Sequence, residues 1–216
     1  MRGLAIFVLL IFFANGIAKG QSFVFRHYQV ESGLSYNSVL CSMQDKKGFM
    51  WFGTKNGLNR FDGYTFKIYQ NSQGNKNSIG DNVVYSLYED SNEILWIGTH
   101  NGLYGFDPGT EKFTLVPGTG NYIVTNVKGG PNNMVWFVAS TILSCYNVSS
   151  QEVKFFNKEA PDATSVGLVY RDKVWFSTTN GYVKSLDFKK SATESFNVSN
   201  NPSGVASDCF IEKLYY

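Results

Sequence analysis

A thirteen-residue segment occurs twice in this chain, at an offset of 45 residues. The first copy, MWFGTKNGLNRFD, runs from Met50 to Asp62, and the second, LWIGTHNGLYGFD, runs from Leu95 to Asp107. Eight of the thirteen positions are identical. Repetition at a fixed period of this length is typical of architectures in which each unit buries its apolar face against the next unit.

The four tryptophans extend this period along the chain. Trp51, Trp96, Trp136 and Trp175 follow one another at intervals of 45, 40 and 39 residues, each between two apolar neighbours. Runs such as Val135 to Val138 are continuously apolar, which indicates a strand buried on both faces rather than one with a solvent-exposed face. We therefore expect the indoles to pack between stacked sheets; a sugar-stacking role is the alternative.

Asn-Gly pairs follow three of the tryptophans, at Asn56-Gly57, Asn101-Gly102 and Asn180-Gly181. This pair favours a two-residue type I′ hairpin, in which φ is positive at both central residues. In the third unit Ser140-Thr141-Ile142 stands in its place, so we expect a different turn there.

Four short strands in each unit of roughly 40 residues predict a β-propeller blade. The fold class is therefore all-β, with four four-stranded antiparallel blades at residues 37–69, 82–116, 122–157 and 165–198, and a partial fifth blade at 205–216. A leader, residues 21–36, contains a lone strand from Phe23 to Tyr28 that we expect to close the ring. About four and a half blades make an incomplete circle, which predicts a fragment.

Residues 1–20 have the layout of a secretory signal peptide. Arg2 precedes the apolar stretch Leu4 to Ala14, and Ala18-Lys19-Gly20 offers small residues before a cleavage site at Gln21. An uncleaved membrane anchor is the alternative. Cleavage removes two of the 19 basic residues and leaves 17 against 17 acidic ones. A mature charge of zero gives no positive field for nucleic acid or anionic membrane.

Three cysteines, Cys41, Cys145 and Cys209, form an odd set without paired spacing. Each lies in an apolar stretch, so we expect buried thiols that act as small hydrophobic groups. One disulfide with a leftover thiol is the alternative.

The repeat resembles the two-component regulator propeller repeats. The unit of that family is an apolar strand, Glu/Gln-Asp, a turn, Leu-Trp-Ile-Gly-Thr, one residue, Asn-Gly-Leu, and a strand that ends in Asp. Gln44 to Asp62 and Glu89 to Asp107 match nearly throughout, whereas the third and fourth units match only around tryptophan. The leader from Phe25 to Val39 is also similar to the family's opening, so the resemblance covers residues 21 to about 200.

This resemblance implies the periplasmic sensor region of hybrid two-component histidine kinases that control polysaccharide utilisation. Such proteins carry two seven-bladed propellers, a further β-domain, a transmembrane helix, a kinase, a receiver and a DNA-binding domain. The later parts are absent from this chain, so we expect a non-enzymatic fragment of a seven-bladed propeller. It would bind an oligosaccharide, act as a homodimer in the full-length sensor, and meet the membrane only through missing C-terminal parts.

A ligand surface is expected on the rim where the second-to-third-strand hairpins meet the connections between blades. The candidate residues are Lys55, Asn56, His100 and Asn101 in the hairpins, and Asn75 and Asn77 in the connector Gln70 to Asn82. Their polar side chains could hydrogen-bond carbohydrate hydroxyls from loops. Exposed turn residues and a solvated loop are the alternative. The sequence predicts no catalytic, cofactor or metal residues.

Two other functions stay open. One is an exported propeller enzyme that acts on polysaccharide as a lyase or glycosidase, because a fold does not dictate a function. The other is a non-functional truncated remnant.

Overall fold

The computed structural model describes residues 25–197 of the chain. The predicted signal peptide, the predicted fifth blade and Cys209 lie outside the described residues. Within residues 25–197, no helix is long and apolar enough to cross a membrane.

The described residues form four antiparallel sheets of four strands each, and in every sheet the strands neighbour one another in chain order. Blade 1 contains β1 (Val39–Gln44), β2 (Met50–Thr54), β3 (Gly57–Phe61) and β4 (Phe66–Tyr69). Blade 2 contains β5 (Val84–Glu89), β6 (Leu95–Thr99), β7 (Gly102–Asp107) and β8 (Lys112–Leu115). Blade 3 contains β9 (Val124–Gly130), β10 (Met134–Ala139), β11 (Ile142–Asn147) and β12 (Glu152–Phe155). Blade 4 contains β13 (Ala163–Tyr170), β14 (Lys173–Thr178), β15 (Tyr182–Asp187) and β16 (Ala192–Asn197).

The first strands of successive blades lie against one another, β1 against β5, β5 against β9, and β9 against β13. These strands are therefore the inner ones, and the fourth strands lie on the outside. Sheets stacked face to face through their inner strands are the arrangement of a β-propeller, which confirms the predicted fold class. β13 begins two residues before the predicted start of the fourth unit.

Three buried clusters make the core, one at each junction between neighbouring blades. Trp51 of blade 1 lies in a cluster with Val84 and Phe106 of blade 2. Trp96 lies in the second cluster with residues of blade 3, and Trp136 in the third with residues of blade 4. Each of these indoles is at most 5% exposed, which confirms their packing between sheets. The fourth tryptophan, Trp175, is only half-buried.

Short aspartate-capped turns join the strands on the rim opposite the hairpins. Asp45 Oδ1 accepts hydrogen bonds from the backbone N–H groups of Lys47 and Phe49, at 3.0 and 2.9 Å. Asp90 does the same for Asn92 and Ile94 in blade 2. A carboxylate that binds the backbone two residues on favours a turn over continued strand, so these positions end the inner strands.

The prediction of type I′ hairpins is wrong. β2 pairs with β3 as Thr54↔Gly57, so the loop residues are Lys55 and Asn56, and φ is positive at Gly57 (117°) but not at Asn56. Thr54 Oγ1 accepts the Asn56 N–H (3.0 Å) and donates to the Gly57 carbonyl (2.9 Å). The threonine side chain therefore closes the turn, and glycine opens the next strand with a left-handed φ.

Blade 2 repeats this turn, and blade 3 differs from it as predicted. Thr99 Oγ1 accepts the Asn101 N–H at 3.1 Å, and φ is 108° at Gly102. In blade 3 the loop is Ser140-Thr141 between the paired residues Ala139 and Ile142, with a positive φ of 58° at Ser140.

The leader packs on the face of blade 1 that points away from blade 2. Tyr28 contacts Phe61 and Phe66 edge-on, at centroid distances of 4.9 and 5.7 Å, and Leu34 is buried. The predicted ring-closing strand is not formed between Phe25 and Tyr28. A strand needs a neighbouring strand to pair with, and these residues meet blade 1 through side chains instead; Phe23 and Val24 lie outside the described residues.

Candidate ligand-binding rim

Backbone hydrogen bonds hold each connector between the hairpins of the two blades that it joins. For the first connector, the Gly57 N–H of blade 1 donates to the Asn82 carbonyl (2.6 Å), and the His100 N–H of blade 2 donates to the Val83 carbonyl (3.1 Å). These hairpins therefore lie on either side of residues 82–83. The hairpins and the inner ends of the connectors share one rim, as the sequence predicts.

The same arrangement recurs at the next two junctions. Gly102 donates to Tyr122 and Ser140 to Ile123 around the second connector. Leu143 donates to Ala160 and Thr179 to Asp162 around the third. The rim is thus a row of loops in which backbone hydrogen bonds join each connector to the hairpins of two neighbouring blades.

Lys55 and Asn56 differ in their exposure and in their hydrogen bonds to the rest of the fold. Lys55 is exposed, and its side chain makes no hydrogen bond to any described residue. Asn56 is half-buried, and its Nδ2 donates to the Ser35 carbonyl of the leader at 3.4 Å. The backbone carbonyl of Asn56 also accepts a bond from Gln70 Nε2 at 2.9 Å. Asn56 therefore serves mainly to join the leader and the connector to blade 1.

His100 and Asn101 are both exposed on the blade 2 hairpin. His100 Nδ1 lies 3.1 Å from the hydroxyl of Tyr85, a residue of the inner strand β5, and the two rings are tilted by 38° with centroids 6.2 Å apart. Sequence analysis did not select Tyr85, because this residue lies 15 positions from His100 and the contact forms only when the hairpin folds over β5.

Asn75 and Asn77 lie away from these hairpins. The Asn77 carbonyl accepts the N–H of Phe113 in the outer strand β8 at 3.0 Å, and Asn75 Oδ1 accepts the Asn77 N–H. This part of the connector therefore covers the free edge of blade 2, a common protection for an edge strand. The structure brings Lys55, Asn56, His100 and Asn101 together around residues 82–83 and leaves the other two apart.

The inner half of the first connector belongs to the core. Ile79 is fully buried, and an ideal Cβ at Gly80 would lie 1.7 Å from the hydroxyl oxygen of Tyr104, so any larger residue there would force the Tyr104 ring to move. Burial raises the pKa of Tyr104, with a smaller contribution from the nearby Asp81 carboxylate. The connector is thus anchored at Ile79 and Gly80.

The rim side chains named above can donate and accept hydrogen bonds. Among the described residues, no cluster of three or more His, Cys, Asp or Glu side chains could hold a metal ion.

Burial raises the pKa of Cys41 and of Cys145 to about 12, and both thiols are free. This agrees with their predicted role as small hydrophobic groups.

Comparison with known proteins relates the first two blades to a described family of repeats. The sequence profile described as "Two component regulator propeller" matches residues 33–56 and 78–101, which hold the β1–β2 and β5–β6 hairpins. The first two blades are therefore similar to two-component regulator propeller repeats. Histidine kinase P4 of Formosa agariphila is 43% identical over 82 residues, which are 37% of this chain and 6% of the kinase.

Solved structures show the same fold. The extracellular domain of BT3049, a B. thetaiotaomicron protein assigned as a hybrid two component system, matches with a TM-score of 0.68 and 24% identity. The match covers 79% of this chain and 26% of that domain. Virginiamycin B lyase from Staphylococcus aureus matches with a TM-score of 0.60 and 14% identity, over 77% of this chain and 58% of the lyase. The propeller repeats of this chain thus span about a quarter of the BT3049 domain.

Proposed function

We propose that this chain is the N-terminal, exported part of a hybrid two-component sensor. The support comes from the matched regulator propeller repeats, the similarity to a histidine kinase, and the fold shared with an extracellular sensor domain. The predicted signal peptide would place these blades in the periplasm. Kinase and DNA-binding activities would belong to segments other than these blades.

We further propose that the rim around residues 82–83 binds an oligosaccharide. The observation that carries this proposal is the side-by-side placement of two hairpins by one connector, with the side chains of Lys55, His100 and Asn101 on the surface. Sugar hydroxyls need donors and acceptors, and pyranose rings need a planar apolar surface. Lys55 and Asn101 offer hydrogen-bonding groups for the hydroxyls. The rings of Tyr85 and His100 offer a planar surface for the pyranose ring.

The signal would be a shift between two arrangements of a sensor dimer. A ligand can produce such a shift only if it binds one arrangement more tightly than the other. The hairpins are suited to this because each connector bonds to two blades, so a ligand that orders one hairpin acts on its neighbour.

The test is a glycan panel measured by calorimetry against the whole chain and two variants. His100→Ala and Tyr85→Ala remove the ring pair and should each weaken the bound glycan at least tenfold, about 1.4 kcal/mol. Asn77→Ser, in the exposed connector at the outer edge of blade 2, is the matched control and should bind normally. Equal affinity in all four proteins would reject the rim site.

An exported propeller enzyme that acts on polysaccharide is the second candidate, favoured by the fold shared with virginiamycin B lyase. Product analysis of the same incubations by mass spectrometry separates the two functions. Unchanged glycan mass after prolonged incubation supports recognition, and shortened or unsaturated products support the enzyme.

A further inference from the structure

Three Asn-Gly pairs occupy the same place in the repeat, at the hairpin after the second strand of the blade. They are Asn56-Gly57, Asn101-Gly102 and Asn180-Gly181. In this dipeptide the backbone nitrogen of glycine can attack the asparagine side chain readily, because glycine has no side chain that hinders the approach. Since the three pairs share one sequence, a difference in their reactivity must come from the folded structure.

The glycines of blades 1 and 2 belong to strands. Gly57 and Gly102 are buried, and each pairs with the threonine that ends the second strand. Their N–H groups donate outside the hairpin, to the carbonyls of Asn82 (2.6 Å) and Tyr122 (2.9 Å) in the connectors. Each nitrogen is therefore fixed by a second segment of the chain, and the rim must open locally to free it.

The hairpin of blade 4 is one residue longer than that of blade 1. Trp175 pairs with Ser185, one position further along the chain than the partner of the blade 1 tryptophan. Gly181 consequently lies in the loop ahead of β15 and is half-buried. Its N–H donates to the Thr178 carbonyl within the same turn, at 3.1 Å. This hydrogen bond opens with the turn itself, so it holds the nitrogen less firmly than a bond to a connector does.

The threonine contact at the hairpin also differs between the blades. In blades 1 and 2 the threonine hydroxyl accepts the N–H of Asn56 or of Asn101. In blade 4 the Thr178 hydroxyl accepts the N–H of Tyr182, at 3.2 Å. The turn threonine of blade 4 therefore holds the first residue of β15 rather than the asparagine, and Asn180 is exposed.

The side-chain amides of the asparagines have different partners. Asn56 Nδ2, the group that an attack would expel, donates to the Ser35 carbonyl at 3.4 Å. Asn180 Oδ1 accepts a hydrogen bond from the Thr179 hydroxyl at 3.0 Å. A donor on this oxygen draws electron density from Cγ and stabilises the negative charge that develops on the oxygen during attack. The Thr179 hydroxyl therefore favours attack at Asn180.

We propose that Asn180 is a site of spontaneous deamidation, whereas the fold protects Asn56 and Asn101. The Gly181 nitrogen loses its proton to solvent and forms a bond to Cγ of Asn180. The bond from Cγ to Nδ2 then breaks, and this nitrogen takes up a proton from solvent and leaves as ammonia. Water opens the resulting cyclic imide to aspartate or isoaspartate. Water is the only co-reactant, and no group is oxidised or reduced.

Deamidation changes the charge of the rim at blade 4. Asparagine is neutral and both products carry a carboxylate, so the hairpin gains a negative charge. This hairpin lies against the third connector, where the Thr179 N–H donates to the Asp162 carbonyl at 3.0 Å. Asp162 also forms an ion pair with Lys184 at 3.0 Å. The new carboxylate therefore joins a part of the rim that already holds charged groups, and aged molecules can be separated from new ones by charge.

Peptide mapping of aged protein tests the proposal. The full chain is incubated in mildly alkaline buffer, native or in denaturant, and digested at acidic pH. Mass spectrometry then gives the deamidated fraction at each pair. In denaturant the three pairs should react at similar rates. In the native chain Asn180 should react about tenfold faster than Asn56 or Asn101, because those two require local opening first.

Thr179→Ala is the matched variant, because it removes the hydroxyl donor and keeps the Asn-Gly pair. It should slow deamidation of Asn180 severalfold in the native chain and leave the rate in denaturant unchanged. Asn180→Asp supplies the charge marker, since the main aged species should migrate with this variant on isoelectric focusing. Equal native rates at the three pairs, or faster reaction at Asn56 or Asn101, would overturn the proposal. An unchanged native rate in Thr179→Ala would overturn the role of the hydroxyl.

Discussion

Blades 1 and 2 hold their tryptophans differently from blades 3 and 4. Trp51 Nε1 donates to Asp45 Oδ2 at 2.7 Å, and Trp96 Nε1 donates to Asp90 Oδ2 at 2.9 Å. Each aspartate also caps the turn between the first two strands through its other oxygen. One carboxylate therefore fixes both a turn and an indole, and we call this pair of contacts the Asp–Trp clamp.

The clamp is missing in blades 3 and 4, where Gly130 and Val169 occupy the position six residues before tryptophan. An ideal Cβ at Gly130 would lie 2.7 Å from Nε1 and from Cδ1 of Trp136, so the indole occupies the space that an aspartate side chain would need. No described residue accepts a hydrogen bond from Trp136 Nε1. Apolar stacking on Phe156, at an interplanar angle of 12°, holds this ring instead.

This difference explains where the family resemblance is strong. The matched ranges 33–56 and 78–101 include Asp45 and Asp90, and both lie in the blades that carry the clamp. Blade geometry survives without the clamp, since all four sheets form. Stacking between neighbours is the requirement for a blade, and the clamp is a local addition to it.

The largest expected effect comes from removing a clamped indole. Trp96→Ala should lower the free energy of unfolding by about 3–5 kcal/mol, because it empties a buried site between blades 2 and 3. The same change at the half-buried Trp175 should cost much less. Chemical denaturation of both variants measures the contrast, and equal costs would show that blade 4 is packed as tightly as blade 2.

The next effect concerns the glycines that exist only in the clamped blades. Gly98→Ala places a Cβ 2.5 Å from the Val124 carbonyl oxygen, a backbone atom that cannot rotate away. We expect a loss of about 1–3 kcal/mol from overpacking, measured by thermal unfolding. Gly120→Ala is the control, since its nearest neighbour is the side chain of Leu115 at 3.4 Å. Similar Tm values for the two variants would contradict the close contact at Gly98.

Breaking the clamp itself should have a moderate effect. Asp90→Asn keeps an oxygen for the turn but turns an amide donor toward Trp96 Nε1, which leaves a donor unpaired at a cost of about 1–3 kcal/mol. Trp136→Phe should lower the free energy of unfolding by less than Asp90→Asn does, because no described protein group accepts a hydrogen bond from that indole. A double variant, Asp90→Asn with Trp96→Phe, should be less destabilised than the sum of its parts. Additive costs would show that the clamp contributes nothing beyond the turn.

The smallest expected effect is a pH dependence of stability that comes from Asp107, at the end of the third strand of blade 2. Hydrogen bonds from the Thr110 hydroxyl and the Gly109 N–H hold the pKa of Asp107 below its usual range. A carboxyl with a lowered folded pKa stabilises the fold above its unfolded pKa, near 4, and loses that contribution as pH falls through the folded pKa. Blade 3 has Asn147 at this position and should show no such loss. NMR titration of the Asp107 carboxyl carbon measures the pKa, and a value of 4 or higher contradicts the prediction.

The sequence predicted the blades well because their signals are local. Tryptophan spacing, apolar runs and turn residues predicted four-stranded antiparallel blades, and the described residues form four such sheets. The hairpin type could not be predicted in this way, because the Thr54 hydroxyl and the Asn82 carbonyl compete for the groups that a type I′ turn would use. The ligand site stays a prediction. Lys55, Asn56, His100 and Asn101 lie together on the expected rim, whereas the contact of Tyr85 with His100 and the separation of Asn77 depend on contacts between distant segments.

By itself, the sequence determined that this chain forms stacked four-stranded sheets, since a period near 40 residues with continuously apolar tryptophan strands can be buried in few other ways. Only the tertiary structure decided which indoles are clamped, stacked or left half-covered. The environment of a tryptophan at a junction is supplied by the next blade, so Trp136 and Trp175 occupy the same place in the repeat and differ in what covers them. The local sequence pattern determines the four strands of a blade, and the neighbouring blade determines what the tryptophan of that blade contacts.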